Sequence, residues 1–578
     1  MTIHTDHKNI IELITGDLTQ FHVPIYQRNY TWGADKEVKK LIDDIIEFGQ
    51  EYQDNDRAEY YIGNIIIKNQ TRGMITERII IDGQQRITTS VLILCAIRDI
   101  YRDKYPSNDN NKSADIIQKS LYQDDNGEVK LKLNNMENQK VLSDILSGEK
   151  HLLSHGSQYQ KNYDSIRRRF TRIEEKSFYN LVQLLNRIKV VIIILDEDQD
   201  ENSVFESINS TGKPLSGSDL IKNYLFTFKN YNCSHDEETA LTRLYTEGFE
   251  GLFKNEKKIE VEIESFFRIY IAIQTSALVK KDAKVIYYKF KELIGQINSV
   301  DSCKKTIADL SKWANIYQSL KAGKLENINS IYLSYIKTCF ELYGVFLIQI
   351  VEKYSHIEGN KLVINNTDKI NKLFKVIIAY DASRIFANFP TAELVRWAPM
   401  LLTKNHLEQD DYQQINSYAD RFVKLVTTTD KGYRQPNKDE LKKSAITLDL
   451  YTRNKKYLKR ILILLENTNK NELLNYEKDL KSATIEHIMP QTLSPEWSDI
   501  DNEEHKEYLH TLGNLTLTFD NSKLSNLGFN EKKQILKDKS KLSINVELAE
   551  YPNFDIEAIK KRANSLLDKF FKEYLGGA

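Results

Sequence analysis

The residues with the greatest chemical potential lie near the C-terminus, in the segments ATIEHIMPQ and HTLGNLTLTFDNSKLSNLGFNEKK. His487 follows a short strand-like run and precedes Pro490, so its imidazole could be held rigidly and partly exposed. An ordinary imidazole pKa, about 6.5, would suit general-base chemistry at neutral pH. Glu486, Asn514 and Asn521 add compact oxygen donors of the kind that magnesium-like ions prefer. A base and a hard cation are together what hydrolysis of a phosphodiester requires.

Three further residues bear on this site. His505 and His510 are candidate extra ligands, although five residues apart on a predicted helix they should diverge in direction. Asn526 is an alternative to Asn521. A purely structural role for His487 also stays open, because a lone histidine before a proline-containing turn commonly serves packing alone.

A second constellation, IIDGQQRITT, follows a predicted strand and opens a predicted helix. Backbone N–H groups at a helix start attract anions, and Arg86 adds a charge that can bind phosphate through two hydrogen bonds. The spacing of Asp82 and Gln85 equally fits a capping box, as does that of Ser216 and Asp219. The sequence has no GxxxxGK[ST] segment, so a P-loop is not predicted.

The hydrophobic pattern predicts the elements that position these groups, in an α+β, multidomain and mostly helical protein. Residues 105–160 are polar and predict an insertion of loops and short helices, whereas 231–475 show long helical periodicity. Amphipathic helices are predicted over residues 38–46 and 87–101. Apolar, β-branched runs predict strands at Phe21–Ile25, Tyr61–Lys68, Arg78–Ile81 and Val190–Leu195.

Composition narrows the class of protein. The chain has 578 residues, which favours about two to four domains, and its 41% hydrophobic and 28% charged residues are typical of globular proteins. A net charge of -1 means that any DNA-binding surface must be local. Four scattered cysteines indicate a reducing compartment. Because the N-terminus lacks a signal pattern and the apolar runs are short, we expect a cytoplasmic protein with no membrane span.

The C-terminal segments EHIMPQ, LGNLTL and LSN resemble the HNH domain of GmrD-type restriction endonucleases. This resemblance implies a ββα-metal fold that cuts DNA with a divalent ion, most simply Mg²⁺. It also implies that His487 is the general base and that Asn514 orients the loop that carries it. Glu486 and Asn521 would be the metal ligands. The sequence departs from the commonest pattern at these two positions, which more often hold Asp and His.

Four N-terminal motifs, PIYQRNYTW, YYIGNIII, IIDGQQRITT and FESINSTGKPLSGSDLIKNYLF, resemble the GmrS-type domain. That resemblance covers most of residues 10–230 and implies a ParB-like or sulfiredoxin-like fold that binds and hydrolyses a nucleoside triphosphate. The residues that it assigns to the catalytic loop are Asp82, Gln84, Gln85 and Arg86. Those that it assigns to nucleotide binding are Arg28, Gly83, Arg86, Asn209 and Lys222.

Taken together, these patterns predict a sensor domain over 1–230, a helical domain over 231–475 and a nuclease domain over 476–578. The predicted function is a nucleotide-dependent, modification-sensing DNA endonuclease in anti-phage defence, with the nuclease gated by the NTPase domain. Its partners would be modified phage or host DNA, a nucleoside triphosphate and further copies of the chain. Two alternatives stay open: a nucleotide-regulated DNA-binding protein with an inactive HNH fold, and a broadly nicking effector that senses phosphorothioate marks.

Overall fold

The chain folds into two compact units, Met1–Thr242 with Gln296–Cys303, and Arg243–Gly295 with Lys304–Ala578. Residues 476–578 lie within the second of these units, so the three-part division of the chain stays a prediction. The computed structural model describes residues 4–15, 19–24, 27–52, 55, 57–72, 75–122, 127–149, 156–195, 216–226, 233, 235–256, 258–359, 361–398, 401, 407, 414–467, 482–519, 524–539 and 542–575.

The first unit is organised by a six-stranded mixed sheet. Its strands are β1 (His4–Asn9), β2 (Thr19–His22), β3 (Tyr60–Arg72), β4 (Ile75–Asp82), β5 (Leu131–Lys132) and β6 (Ile188–Leu195). They lie in the order β1-β6-β3-β4-β2-β5. The β1–β6 and β3–β4 pairs are antiparallel, and the other three pairs are parallel. The predicted strands are therefore confirmed, although the strand expected from Phe21 ends at His22.

Helices pack on this sheet around the long helix that follows β4. Its 20 residues are almost all buried, so it forms the centre of the hydrophobic core. The polar stretch 105–160 contributes Ala114, Leu142 and Ile145 to the same core, so it is an integral part of the fold. The helices are α1 (Ile10–Thr15), α2 (Glu37–Glu51), α3 (Gln84–Asp103), α4 (Asn108–Ser120), α5 (Met136–Ser147), α6 (Gln158–Thr171), α7 (Glu175–Leu184), α8 (Gly217–Phe226) and α9 (His235–Arg243).

The second unit begins with the predicted helical region, which the described residues confirm apart from one small hairpin, β7 (Ser355–Glu358) and β8 (Lys361–Ile364). The helices are α10 (Ile259–Thr275), α11 (Ala283–Ile294), α12 (Val300–Ala322), α13 (Ser330–Lys353), α14 (Thr367–Phe386), α15 (Ala392–Trp397), α16 (Tyr418–Thr428), α17 (Lys438–Ala445), α18 (Leu450–Arg453) and α19 (Lys455–Asn467).

Helix α13 differs from what the sequence predicted. By length and composition it could cross a membrane, with a mean hydropathy of 1.3 over its most apolar window. The expectation that every apolar run falls far short of a membrane span is therefore wrong. Within the structure 72% of that window is buried against the rest of the protein, which is the packing of a core helix.

The C-terminal part of the second unit is built around two antiparallel strands, β9 (Thr484–His487) and β10 (Leu515–Thr518). The helices that surround them are α20 (Asn502–Tyr508), α21 (Phe529–Lys539), α22 (Ser543–Val546) and α23 (Ile556–Tyr574). The paired strands β9 and β10 and the following helix α21 are the elements that a ββα arrangement contains, although α20 lies between the two strands in the chain. Its identity as an HNH fold stays a prediction.

Two buried charged residues hold this part together. Arg562 of α23 donates to the carbonyl oxygens of Gly513 and Leu515, at 2.8 and 2.9 Å. Glu466 of α19 accepts hydrogen bonds from the N–H groups of Ser543 and Ile544, at 2.9 and 3.0 Å, and so caps α22. Residues upstream of 476 are therefore structural components of the C-terminal segment.

Candidate active site

The side chain of His487 lies at the end of β9 and is only 4% exposed. Its Nε2 atom is 3.0 Å from Nδ1 of His510, and its Nδ1 atom is 3.3 Å from Nε2 of Gln491. The ring of Tyr451 meets it edge to face, with 4.6 Å between the ring centroids. Both ring nitrogens of His487 are therefore in polar contact, and the imidazole is held in one orientation.

The loop that follows His487 is fixed by Asn514, which is fully buried in the short 3₁₀-helix Leu512–Asn514. The Asn514 Oδ1 atom accepts from the Met489 N–H at 2.6 Å, and its Nδ2 atom donates to the Met489 carbonyl at 3.0 Å. Nδ2 also donates to the carbonyl of Leu509 at 2.8 Å. This is the contact pattern that a loop-orienting asparagine requires, and the role itself stays a prediction.

The two candidate extra histidines do not diverge, so that expectation is wrong. Helix α20 ends at Tyr508, and His510 lies beyond it, so helical spacing does not relate it to His505. His505 Nε2 is 2.8 Å from the carbonyl oxygen of Pro490, while His510 contacts His487. Both histidines therefore face the segment His487–Pro490. His505 contacts a backbone carbonyl of this segment, and His510 contacts the imidazole of His487.

Glu486 forms a buried ion pair. Its Oε1 atom accepts from Lys532 Nζ of α21 at 2.7 Å, and the same ammonium donates to the His487 carbonyl at 2.8 Å. Burial raises the pKa of Glu486 and lowers that of Lys532, while the ion pair opposes both changes. Since neighbouring strand residues point to opposite faces, the structure does not bring the side chains of Glu486 and His487 together.

The pKa of His487 falls to about 3. Burial is the largest cause, followed by the positive charges that His510 and Lys532 can carry. The expected ordinary pKa is therefore wrong. The imidazole is neutral at pH 7 and keeps a lone pair for a proton, but it is a weak base.

The remaining predicted metal ligands do not complete a site among the described residues. Asn521 lies outside them, and the alternative Asn526 is exposed in a turn. Over the part of the chain that the structure describes, no group of three or more His, Cys, Asp or Glu side chains could hold a metal ion. The described donors therefore do not by themselves fit a divalent cation.

The N-terminal constellation meets at the start of α3. Gly83 precedes the helix with a φ of +97°, and a Cβ there would lie 3.0 Å from the Cα of Ile65. Only glycine suits this approach of two backbones. The capping box predicted for Asp82 and Gln85 is wrong, because no side chain caps this helix. The second predicted capping box is confirmed, with Asp219 and Ser216 exchanging hydrogen bonds.

Gln85 and Arg86 instead tie two other motifs to the helix start. Gln85 Oε1 accepts from the N–H groups of Thr31 and Trp32, at 2.9 and 3.1 Å. Arg86 donates to the carbonyls of Ile62 and Asn64, at 2.8 and 3.1 Å. The structure therefore brings three of the four N-terminal motifs together. The side chains of Gln85 and Arg86 hold these motifs in place through hydrogen bonds to backbone groups.

The other predicted nucleotide-site residues are placed as follows. Asp82 is partly exposed, with Oδ2 4.0 Å from Arg86 Nη1. Gln84 is buried, and its Oε1 atom has no hydrogen-bond partner. Arg28 and Lys222 are half-buried, and Asn209 lies outside the described residues.

Two family models match the chain, in the expected order. Residues 10–226 match the N-terminal domain of the GmrSD restriction endonuclease, and residues 435–569 match the C-terminal domain of GmrSD restriction endonucleases. The chain belongs to the GmrSD restriction endonuclease family. This membership supports a restriction endonuclease role, with DNA as the substrate. No curated protein matches the chain.

In this GmrSD restriction endonuclease, the match to the family's C-terminal domain starts upstream of the predicted boundary at 476. The match begins at 435 and includes Tyr451, whose ring lies parallel to that of His510 at 5.3 Å. The backbone N–H of Leu450 donates to the His510 carbonyl at 3.0 Å. Sequence reasoning missed Tyr451 and Lys532, because each reaches the site only through a contact across more than thirty positions of the chain.

Proposed function

We propose that this GmrSD restriction endonuclease hydrolyses DNA phosphodiesters with His487 as the general base. The observation that carries the proposal is a neutral imidazole at the end of β9, followed by a loop that Asn514 holds through the backbone of Met489. A neutral lone pair can accept a proton from water as that water attacks phosphorus. The region matched to the family's C-terminal domain contains every residue named here.

The weak basicity of His487 limits what this residue contributes. A base with a pKa of about 3 gives little driving force for proton transfer at neutral pH, so charge stabilisation at the phosphate must supply more. One exposed cation, Lys455, lies beside the site. Its Nζ atom is 4.8 Å from the centroid of the Tyr451 ring, which itself contacts His487. We assign Lys455 to the DNA backbone on this basis.

We also propose Mg²⁺ as the cofactor, on the chemistry of Glu486 and Asn521, whose oxygen atoms suit a hard cation. The ion would neutralise charge on the phosphate when bound. In this structure the carboxylate of Glu486 is paired with the ammonium of Lys532.

For the N-terminal unit we propose nucleoside triphosphate binding and hydrolysis at the start of α3. Helix α3 has 20 residues and no side-chain cap, so its first N–H groups can receive a phosphate. Gln84 Oε1 adds a buried acceptor that needs a donor. The proposal extends to gating of the nuclease by this unit and to the sensing of modified DNA, because an ungated nuclease would attack the host genome.

One observation favours a second candidate, a nucleotide-regulated DNA-binding protein that does not cut. The Lys532 ammonium neutralises the carboxylate that a catalytic cation would use. Such a protein would bind DNA in response to nucleotide and leave the phosphodiester intact.

A cleavage assay decides between these candidates. Purified protein is incubated with Mg²⁺ or EDTA, with each triphosphate, and with glucosylated, methylated, phosphorothioated or plain DNA. We expect cleavage of one modified DNA that requires Mg²⁺ and a triphosphate and that is lost in His487→Ala. His356→Ala is the matched control, because that histidine is exposed on the β7–β8 hairpin.

Equal cleavage by the His487→Ala and control proteins would refute the assignment of the base. Nucleotide-dependent DNA binding without cleavage would establish the second candidate, and cleavage indifferent to every modification would exclude modification sensing. A broadly nicking effector that senses phosphorothioate marks would nick plain DNA when phosphorothioated DNA is present in the same reaction.

The nucleotide site has its own test. Arg86→Ala should abolish triphosphate hydrolysis, because it removes a charge at the proposed phosphate site. Arg187→Ala is matched to it, since Arg187 also donates to backbone carbonyls of the same unit, including that of Ala58 at 2.9 Å. Equal hydrolysis by the two variants would contradict the site.

A further inference from the structure

We propose that His510 is a positioning residue for His487, which holds the proton on Nε2 of His487 and so makes Nδ1 the basic atom. The inference rests on the proposed role of His487 as the general base. It deepens that role by naming the atom that accepts the proton and the side chain that selects it.

With the Gln491 amide nitrogen facing the ring, the hydrogen bonds around His487 allow one consistent placement of protons. A neutral imidazole has one N–H donor and one acceptor nitrogen. The amide nitrogen of Gln491 is a donor and lies 3.3 Å from Nδ1, so Nδ1 is the acceptor. Nε2 therefore carries the hydrogen and donates it to Nδ1 of His510, 3.0 Å away. His510 in turn carries its own proton on Nε2.

The ring of His510 is itself held in place. It stacks on the ring of Tyr451 with 14° between the two planes. Lys455 Nζ lies over the Tyr451 ring, 4.8 Å from its centroid. The backbone carbonyl of His510 accepts from the N–H of Leu450. The next residue, Thr511, is fully buried and donates its hydroxyl to the Tyr508 carbonyl at 2.8 Å. Nδ1 of His510 is thus presented at a fixed position.

The consequence for catalysis lies in the tautomer. With His510 present, the lone pair of Nδ1 points to the side of the ring where Gln491 lies, and a water that displaces the Gln491 amide could be activated there. Without an acceptor at Nε2, neutral His487 divides between two tautomers and loses its fixed orientation. At metal-binding histidines, loss of the partner that fixes the tautomer costs about 10-fold to 100-fold in metal affinity or activity, and we expect a loss of the same order here.

Three substitutions separate this role from simple packing. His510→Asn places polar atoms at the position of Nδ1, whereas His510→Gln places them near the position of Nε2. His510→Phe keeps an aromatic ring on Tyr451 but has no nitrogen. The Asn and Gln variants are matched in chemistry and differ in where the acceptor lies.

The readouts are kcat and the DNA dissociation constant, measured on the DNA that the wild type cuts, with thermal unfolding midpoints to verify folding. We expect His510→Asn to keep kcat within about 3-fold, and His510→Gln and His510→Phe to lose about 10-fold to 100-fold with unchanged DNA affinity. Equal kcat values for the Asn and Gln variants, or a loss confined to DNA affinity, would overturn the proposal.

A second measurement does not depend on cleavage. Histidine labelled with ¹⁵N reports its tautomer through long-range ¹H–¹⁵N correlations, and the sequence contains 11 histidines. We expect His487 and His510 both to be protonated at Nε2, and His487 to lose this preference in His510→Phe. Protonation of His487 at Nδ1 would overturn the proposal even in an active enzyme. A wild type that cuts no DNA but shows the expected tautomers would instead refute the proposed function alone.

Discussion

Replacement of Asn514 by alanine should loosen the loop that carries His487 without unfolding the unit. The variant removes the partners of the Met489 N–H and carbonyl, both of which belong to a fully buried residue. Each orphaned buried group costs about 1 to 3 kcal/mol, so the two together cost about 2 to 6 kcal/mol. The carbonyl of Leu509 is in a half-buried residue, where water can replace the lost bond.

Asn545→Ala is the matched control for this substitution. Asn545 is also buried, donates to the Leu517 carbonyl at 2.8 Å and accepts from the Thr516 hydroxyl. Its loss orphans two buried groups, as the loss of Asn514 does at Met489, so the expected cost is the same. It contacts Thr516 and Leu517, which pair with Glu486 and Ile485 in the middle of the two-stranded sheet, whereas Asn514 contacts the loop after His487.

Hydrogen exchange and DNA cleavage together provide the assay, because a protein of two units need not unfold in a single step. In Asn514→Ala we expect faster exchange at the amides of Ile488 and Met489, and a loss of cleavage of about 100-fold, which is typical when a reacting group is misplaced by about 1 Å. In Asn545→Ala we expect exchange to rise around β10 and cleavage to stay within about 3-fold. Equal effects of both variants on cleavage would refute the reasoning.

Three further outcomes follow from the structure. Lys532→Met leaves the Glu486 carboxylate buried without its cation, so the variant should unfold at a lower temperature than the wild type. If Glu486 can bind Mg²⁺, added Mg²⁺ should raise the unfolding midpoint of this variant more than that of the wild type. Equal shifts of the two midpoints would contradict a metal-binding role for Glu486. Burial raises the pKa of Asp381 to about 6. The wild type should therefore lose about 2 kcal/mol of stability relative to Asp381→Asn as the pH rises from 4 to 7, and a constant difference between their unfolding midpoints would argue against this. Lys455→Ala should weaken DNA binding on all sequences and reduce the slope of log affinity against log salt by about 1, as measured by fluorescence anisotropy; an unchanged slope would remove Lys455 from the DNA surface.

The sequence predicted the features of the fold that depend on residues close to one another in the chain. Apolar, β-branched runs identified β3, β4 and β6, because strands buried in a sheet need such residues. The motifs singled out His487 and Asn514, which lie 27 positions apart in sequence, and the structure places Asn514 against the loop that follows His487. The helix predicted over 87–101 lies within α3, which begins three residues earlier, at Gln84.

Long-range contacts explain what the sequence did not reveal. The capping box at Asp82 failed because Gln85 is committed to the loop at Thr31, and this contact crosses 54 positions of the chain. Glu486 was assigned to a metal from its type and from the family resemblance, and nothing near it in sequence indicates the ammonium of Lys532. The pKa of His487 depends on its burial, which the motif does not encode.

The dependence of the C-terminal segment on Glu466 and Tyr451 bears on how a minimal fragment could be made. A fragment that begins at 476 would leave the first amides of α22 without their carboxylate and would uncover the flat side of the His510 ring. Such a fragment could appear inactive for reasons unrelated to its chemistry. An excised nuclease that is to report on the enzyme should therefore start before Asp449, whose side chain accepts from the Thr452 N–H and so opens the short helix that bears Tyr451.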